Sequence, residues 1–350
     1  MVNFNANGGI GGVPGSVRVN AGDSITVPGG GGLSLGNSTF TGWFIYSDGK
    51  ITNYSVGESF TPPGGHITLF ARWDLDADNL DSISGLANKL AWLQNNAENA
   101  GNYIIEVNAN ESLGHHTLFF PGRNNITITL RGNDTDRIIS SAVNYSTFTV
   151  LDGATLILDN NITLQGNRST ERAVVVVTDG VLVMNNGSSV TGNGHHGVRV
   201  NSGTFTMNEG EITENRFRGV VIGPGDGRRT NARFVMNGGT ISGNSGGIIL
   251  STGTFDLNGG TISGNTSPGA GGGLWIQGGV FNMSGGEITQ NLAHNTPGVG
   301  VVSDFLGAGR FNMSGGIISG NTLARYPRGT FPQVAVPEQF FRQTGGIIRP

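Results

Sequence analysis

An internal repeat constrains this chain more than any other feature. A phenylalanine-to-asparagine unit recurs at Phe205–Asn215, Phe234–Asn244, Phe255–Asn265, Phe281–Asn291 and Phe311–Asn321. One copy reads Phe281-Asn282-Met283-Ser284-Gly285-Gly286-Glu287-Ile288-Thr289-Gln290-Asn291. Degenerate copies run from Leu156 to Asn167 and from Leu182 to Asn193, and a shortened one from Phe341 to Ile348. Ile128-Thr129-Leu130-Arg131-Gly132-Asn133 reads as the second half of a first copy. A fixed unit that cannot bury its apolar face alone must stack on its neighbours, so the chain is a solenoid.

Each unit holds three short strands. The first is Phe-x-Met, and the second centres on a branched aliphatic residue. The third is apolar again, as in Gly219-Val220-Val221-Ile222 and Gly273-Leu274-Trp275-Ile276. The second-strand positions are Leu130, Leu164, Val190, Ile212, Ile241, Ile262, Ile288, Ile318 and Ile348, with steps of 21 to 34 residues. Period-two alternation turns Phe281, Met283, Ile288, Leu274 and Ile276 inward. Three strands per unit with loops of uneven length predict an all-β, right-handed parallel β-helix of about nine coils over residues 102–350. The repeated asparagine falls at one turn in successive coils, where side-chain amides can bond to one another. Asn133, Asn167, Asn193, Asn215, Asn244, Asn265, Asn291 and Asn321 are the expected members of this ladder.

Upstream, residues 75–101 read as a linker and one amphipathic helix over 78–98. Its stripe is Leu80, Ile83, Leu86, Leu90, Leu93 and Ala97, with Asp78 as N-cap, Asp81 in the first turn and Gly101 beyond the end. A single helix before a solenoid is expected to plug the open first coil. At the other end, an insert carrying Pro327, Pro332 and Pro337 is expected to fold across the last coil, with Phe331, Phe340 and Phe341 as its apolar weight.

Residues 1–74 read as a small β domain. Phe4, Asn7-Gly8-Gly9, Gly42-Trp43, Tyr54, Gly57, Phe60 and Leu69-Phe70-Ala71-Arg72-Trp73 span nearly all of it. In these landmarks the segment resembles the internalin B-repeat family, also called the Listeria–Bacteroides repeat. The resemblance implies a small β-grasp-like fold, and a spacer or adhesive module on a bacterial surface protein. Trp43 and Trp73 are expected in its core. The coils themselves resemble the pectate-lyase-like superfamily of parallel β-helices, which holds polysaccharide lyases, glycoside hydrolases and many adhesins. That is a likeness of architecture and assigns no activity. The regular Gly-Gly turns look more like adhesin-type repeats than enzyme coils.

The 61 glycines with only 12 prolines fit many tight turns. A net charge of −4 argues against nucleic acid as a partner, and no cysteine is present to make a disulfide or thiolate metal site. No apolar run reaches the ~20 residues that span a bilayer, so no membrane insertion is expected. Met1-Val2-Asn3-Phe4 lacks a basic and apolar leader, which leaves a cytosolic protein or a fragment whose signal lies upstream; the domain content favours the fragment, and so an extracellular or cell-surface protein whose signal and anchor lie elsewhere. No cofactor and no metal are expected.

For chemistry, Gly194-His195-His196-Gly197-Val198-Arg199 is the nearest approach to a polysaccharide-cleaving motif. It lacks the paired aspartates of the polygalacturonases, so His195, His196 and Arg199 are weak catalytic candidates. Asp226 lies in a single loop, Gly223-Pro224-Gly225-Asp226-Gly227, rather than a calcium-binding period. The outward positions of the third strands are Val176, Arg199, Val221, Ile249 and Trp275, an unusual apolar file that marks either a covered face or a binding face. The inserts 223–232 and 322–337 are candidates to cover it. Arg216, Arg218, Arg228 and Arg229 lie in nearby loops. The expected function is an adhesin or scaffold that binds a glycan, or a protein of a host or neighbouring cell, without turnover, through Trp275, Ile249, Val221, Arg216 and Arg218. A polysaccharide-active enzyme is the alternative. A remote one is an ice-binding protein, from the hydroxyl file Thr191, Thr213, Ser242, Ser263, Thr289 and Ser319.

Overall fold

The computed structural model describes residues 1–35, 38–47, 50–63, 66–74, 80–120, 122–224, 228, 230–301, 309–324 and 332–350. From residue 102 on the chain is a parallel β-solenoid of about nine turns. Its strands form three long sheets of ten, ten and nine members, each linking one strand from every coil. The first coil uses Asn102–Val107, Glu111–Leu113 and His116–Leu118. The last contributes only Phe341–Gln343 and Ile347–Arg349.

Like residues stack on like, because coil-to-coil pairing places equivalent positions face to face. Phe205, Phe234, Phe255, Phe281, Phe311 and Phe341 form one column, with ring centroids 4.5, 4.9, 5.0, 4.6 and 4.9 Å apart. Ile212, Ile241, Ile262, Ile288 and Ile318 form another, all fully buried. Each large side chain leaves water entirely, worth about 1.5–3 kcal/mol apiece before conformational entropy is set against it. The turn between these columns needs glycine: Gly260 sits at φ 81°, and a Cβ on Gly259 would lie 2.3 Å from the Asn237 carbonyl oxygen of the coil before.

The first copy is placed differently from the expectation. Leu130 pairs with Ile105 and Leu158 in the first sheet, the column that continues as Met184 and Met207. The second-sheet residue of that coil is Ile139, paired with Leu164. Ile128–Leu130 is therefore a first strand, and the Arg137–Ser141 strand follows it. A run of alternating Ile, Thr and Leu fits either sheet, and only the pairing decides.

The helix is shorter than its stripe. Leu80–Ser82 is one 3-10 turn, Gly85 at φ 80° breaks the chain, and α1 spans Leu86–Asn96. Asp78 lies outside the described residues. The helix ends are satisfied from the solenoid. Glu111 occupies the first-coil position of the isoleucine column, and its carboxylate accepts the Leu86 N–H at 2.9 Å. At the C-terminus, Arg123 donates to the carbonyls of Asn95 and Ala97 at 2.6 Å and Gln94 at 3.1 Å. An anion at the N-terminus and a cation at the C-terminus both complement the helix dipole. Leu86, Leu90 and Leu93 are buried in the same core cluster as Ile105, Leu113 and Ile128. Leu90→Asp is therefore expected to expose the first coil and drive association, visible as a rise in light-scattering mass. A monodisperse monomer of unchanged stability would refute the plug.

At the C-terminal end, Pro327 and Phe331 lie outside the described residues. Phe341 belongs to the coil, as the last ring of the phenylalanine column, and Phe340 ends a 3-10 turn over Glu338–Phe340. Val334–Ala335 adds a strand beside Val299–Val301, so this part of the insert continues the third sheet.

The N-terminal module has a mixed sheet in the order β1 (Val2–Asn5), β6 (Ile67–Asp74), β3 (Thr39–Ser47), β4 (Lys50–Tyr54). A ribbon of β2 (Ile25–Thr26) and β5 (Ser59–Phe60) completes it. Trp43 and Trp73 are 0% and 1% exposed, their indole N–H groups bonded to the carbonyls of Pro28 and Ala6. They are core. The opposite sheet face carries Phe44 and Phe70, stacked at 5.5 Å, and it docks on the solenoid. Phe44 meets Phe119 at 5.7 Å, Phe70 meets His115 at 5.6 Å, and the Asn7 Oδ1 accepts the Thr117 N–H at 2.8 Å. Gly8 lies so close to the His116 ring that a Cβ would stand 2.2 Å from it. The module is thus seated on the third sheet of the first coil.

Candidate functional site

The third sheet turns one residue per coil outward, in the register Thr117, Thr149, Val176, Arg199, Val221, Ile249, Trp275. At Thr149, Val176 and Arg199 this file floors a cleft of about 710 Å³. One wall is the turn Glu171–Arg172 with Tyr145, a second is His195 and His196, and the far end holds Pro224, Arg228 and Thr230 of the long insert. Among the described residues that line it are three arginines, Arg172, Arg199 and Arg228, and one carboxylate, Glu171.

Two of these cations, Arg172 and Arg199, are held by their surroundings. The Arg172 guanidinium carbon lies 5.2 Å from the centroid of the Tyr145 ring. Arg199 Nε donates to Asn201 Oδ1 at 2.9 Å, and its Nη2 donates to the Pro224 carbonyl. The insert is thereby tied to the cleft.

The two histidines differ. His196 is buried, and its Nδ1 accepts the Arg218 N–H at 3.2 Å, which requires a neutral ring. Burial first, and then the neighbouring His195, Arg199 and Arg218, push its pKa down to about 2. His195 is half-buried with its ring 4.0 Å from His196 and 4.5 Å from Phe217. Burial, and then Arg199, hold its pKa below the ordinary value, while Glu171 pulls the other way. Its Nδ1 has no hydrogen-bond partner among the described residues. His195 and Arg199 are therefore neighbours on a charged surface, whereas His196 supports the wall.

The asparagine ladder reaches this wall. Asn215, Asn244, Asn265, Asn291 and Asn321 each donate from Nδ2 to the next amide oxygen, at 2.8 to 3.0 Å, and Gln333 closes the chain. Asn193 joins through its backbone N–H, donated to Asn215 Oδ1 at 3.2 Å. Its own side chain turns instead to the carbonyls of Arg172 and His196, both at 2.7 Å. The ladder thus ends by pinning the two segments that wall the cleft. Asn133 and Asn167 stand outside it. Asn133 follows a first-sheet strand, at another corner, and its Oδ1 accepts the Asp134 N–H. Asn167 Oδ1 accepts the Ser169 N–H and closes its own turn.

The remaining candidates spread out. Val221 is 4% exposed, so it offers no contact surface. Ile249 and Trp275 continue the file beyond the cleft lining. Arg218 is a strut, not a loop cation. It is 7% exposed and crosses Gly246, where a Cβ would strike it. Its fork donates to Gly271 O at 2.6 Å, Ala270 O at 3.0 Å and Ser267 Oγ at 3.1 Å, over the Trp275 ring. Burial lowers its pKa to about 10, still charged at neutral pH. Arg216 is exposed outside the cleft. Asp226 and Arg229 lie outside the described residues.

Sequence reasoning missed Tyr145, Glu171, Arg172 and Phe217. Their signal was interruption of the pattern: Asn167-Arg168-Ser169-Thr170-Glu171-Arg172 replaces a short Gly-rich turn with charge. Among the described residues no cluster of three His, Asp or Glu side chains is placed to hold a metal ion. No helix there is long and apolar enough to cross a membrane.

Residues 1–72 match the Listeria–Bacteroides repeat domain. This repeat is typical of bacterial surface proteins, and its union with a β-solenoid fits a protein of surface or adhesin type. Neither the curated proteins nor the solved structures contain a match to the chain. The Listeria–Bacteroides repeat contributes Phe70 directly to the cleft lining.

Proposed function

We propose that this protein acts outside the bacterial cell, as an adhesin or scaffold that holds an acidic glycan without turning it over. The observation that carries the reading is the convergence of Arg172, Arg199 and Arg228 on one cleft. Guanidinium forks match carboxylate and sulfate oxygens two at a time, and the Tyr145 and His195 rings offer flat faces to sugar rings. The half-buried setting of Arg199 and His195 limits screening by solvent.

Binding of a uronate-rich polysaccharide, measured by calorimetry, should weaken about tenfold for Arg199→Gln, or about 1.4 kcal/mol. It should weaken further with Arg172→Gln and fall as salt rises. Arg131→Gln is the control, because Arg131 pairs with Glu106 on the first sheet. Equal affinity in all three variants would overturn the reading. A protein of a host or neighbouring cell as sole ligand would do the same.

Polysaccharide cleavage is the second reading, favoured by the unpartnered His195 Nδ1 beside Arg199. A hydrolase needs two carboxylates across the scissile bond, and among the described residues lining the cleft Glu171 is the one carboxylate. New reducing or unsaturated ends appearing with time would decide for an enzyme.

A further inference from the structure

The cleft does not stop at the solenoid. A second depression of about 360 Å³ is lined by Ile45, Pro63, His66, Thr68 and Phe70 of the repeat module together with Thr117 and Leu151 of the solenoid. The two depressions share Phe70, Thr149 and Thr178, so they form one continuous groove.

Its direction follows from the strand register. Thr117, Thr149, Val176 and Arg199 are successive members of one outward file, one per coil. Coils are separated by about 4.8 Å, so these three steps alone cover about 14 Å along the solenoid axis. The module wall is strand β6, in which Leu69, Ala71 and Trp73 enter the module core. Thr68 and Phe70 alternate with them and face the groove. The wall is fixed in place by the Asn7–Thr117 hydrogen bond and by the contact of Gly8 with the His116 ring.

We propose that the repeat module is half of the binding site, and that the ligand is an extended anionic polysaccharide lying along the axis. Its acidic groups meet Arg199, Arg172 and Arg228, and further sugar units run past Thr149 to the module strand at Thr68 and His66. A compact anion would fill the arginine end alone and leave the module without a role. The threonine hydroxyls and the Phe70 ring suit successive sugar units, which present hydroxyl edges and flat apolar faces. This inference rests on the reading of the cleft as an acidic-glycan site.

The test uses the full chain and uronate oligomers of increasing length, from the monomer upward, with calorimetric affinities. In the unmodified protein, affinity should climb with length and then level off when the groove is filled. Arg199→Gln should weaken every length. Thr68→Glu places a carboxylate on the module wall, and it should weaken the long oligomers about tenfold while leaving the shortest binder unchanged. His66→Glu, at an exposed rim position, repeats the measurement should Thr68→Glu disturb folding. Affinity that is independent of length, or module variants with no effect on long oligomers, would overturn the composite groove while the arginine cleft stands. Loss of the Arg199→Gln effect at every length would overturn the cleft reading itself.

Discussion

Replacing Asn265 by leucine is expected to cost about 4 kcal/mol, whereas replacing Asn258 by alanine should cost under about 0.5 kcal/mol. Both residues belong to files of bonded amides. Asn258 donates to Asn237 Oδ1 at 2.9 Å on an exposed corner, where water replaces a lost partner. Asn265 is fully buried. Its Oδ1 accepts both the backbone N–H and the Nδ2 of Asn244, at 3.1 and 3.0 Å. Its own Nδ2 donates to the carbonyls of Ile241 and Ser263 and to Asn291 Oδ1. Leucine fills the volume but strands the buried Asn244 N–H and takes a partner from the Ile241 and Ser263 carbonyls and from Asn291 Oδ1, at about 1–3 kcal/mol for each group left unsatisfied, less the transfer gain of the aliphatic chain. Because coils contact only their neighbours, hydrogen exchange should rise first at the coils on either side. Comparable losses for the two variants in denaturant titrations would sink the distinction between a buried and a solvated ladder.

Acid should unfold this protein early. His115, His116 and His196 are 2%, 4% and 8% exposed, and burial pushes their pKa values down to about 3, 4 and 2. The hydrogen bonds suit neutral rings: His115 lies 2.6 Å from the Ser146 carbonyl and 3.1 Å from Thr117 Oγ1. In the unfolded chain each imidazole takes a proton below about pH 6.5. The unfolded state then binds more protons than the native state, so stability falls as pH falls, by about 1.4 kcal/mol per unit and per histidine. The full slope holds from about pH 6 down to about pH 4, where His116 begins to protonate in place and its share stops growing. From pH 6.5 to pH 5 the three together remove about 5 kcal/mol. Denaturant titrations across this range should give a slope near three protons, and His196→Gln should reduce it by about one. A slope below one proton would refute neutral burial of the three rings. Two of the three sit where the repeat module docks, so that contact should open before the distant coils.

What the sequence determined by itself is the part of the structure that repeats. Strand alternation and the spacing of Phe, Met and Ile are local properties, and stacking copies them from coil to coil. The phenylalanine column, the isoleucine column and the ladder members from Asn193 to Asn321 could therefore be read without coordinates. The first copy was misassigned because alternation alone does not say which sheet a strand joins. Leu130 and Asn133 moved to another corner once the register with Ile105 and Leu158 was known. Tertiary structure alone decided whatever joins segments that differ in kind. Glu111 and Arg123 cap a helix remote in sequence. Arg218 crosses to the turn at Ala270 and Gly271 instead of facing solvent. The cleft gathers Tyr145, Arg172, His195 and Arg228 from loops of unequal length around Arg199 on the third sheet, and the module adds a wall. Loop length and docking carry no period, so the groove exists only where the folded coils and the docked module bring those side chains together.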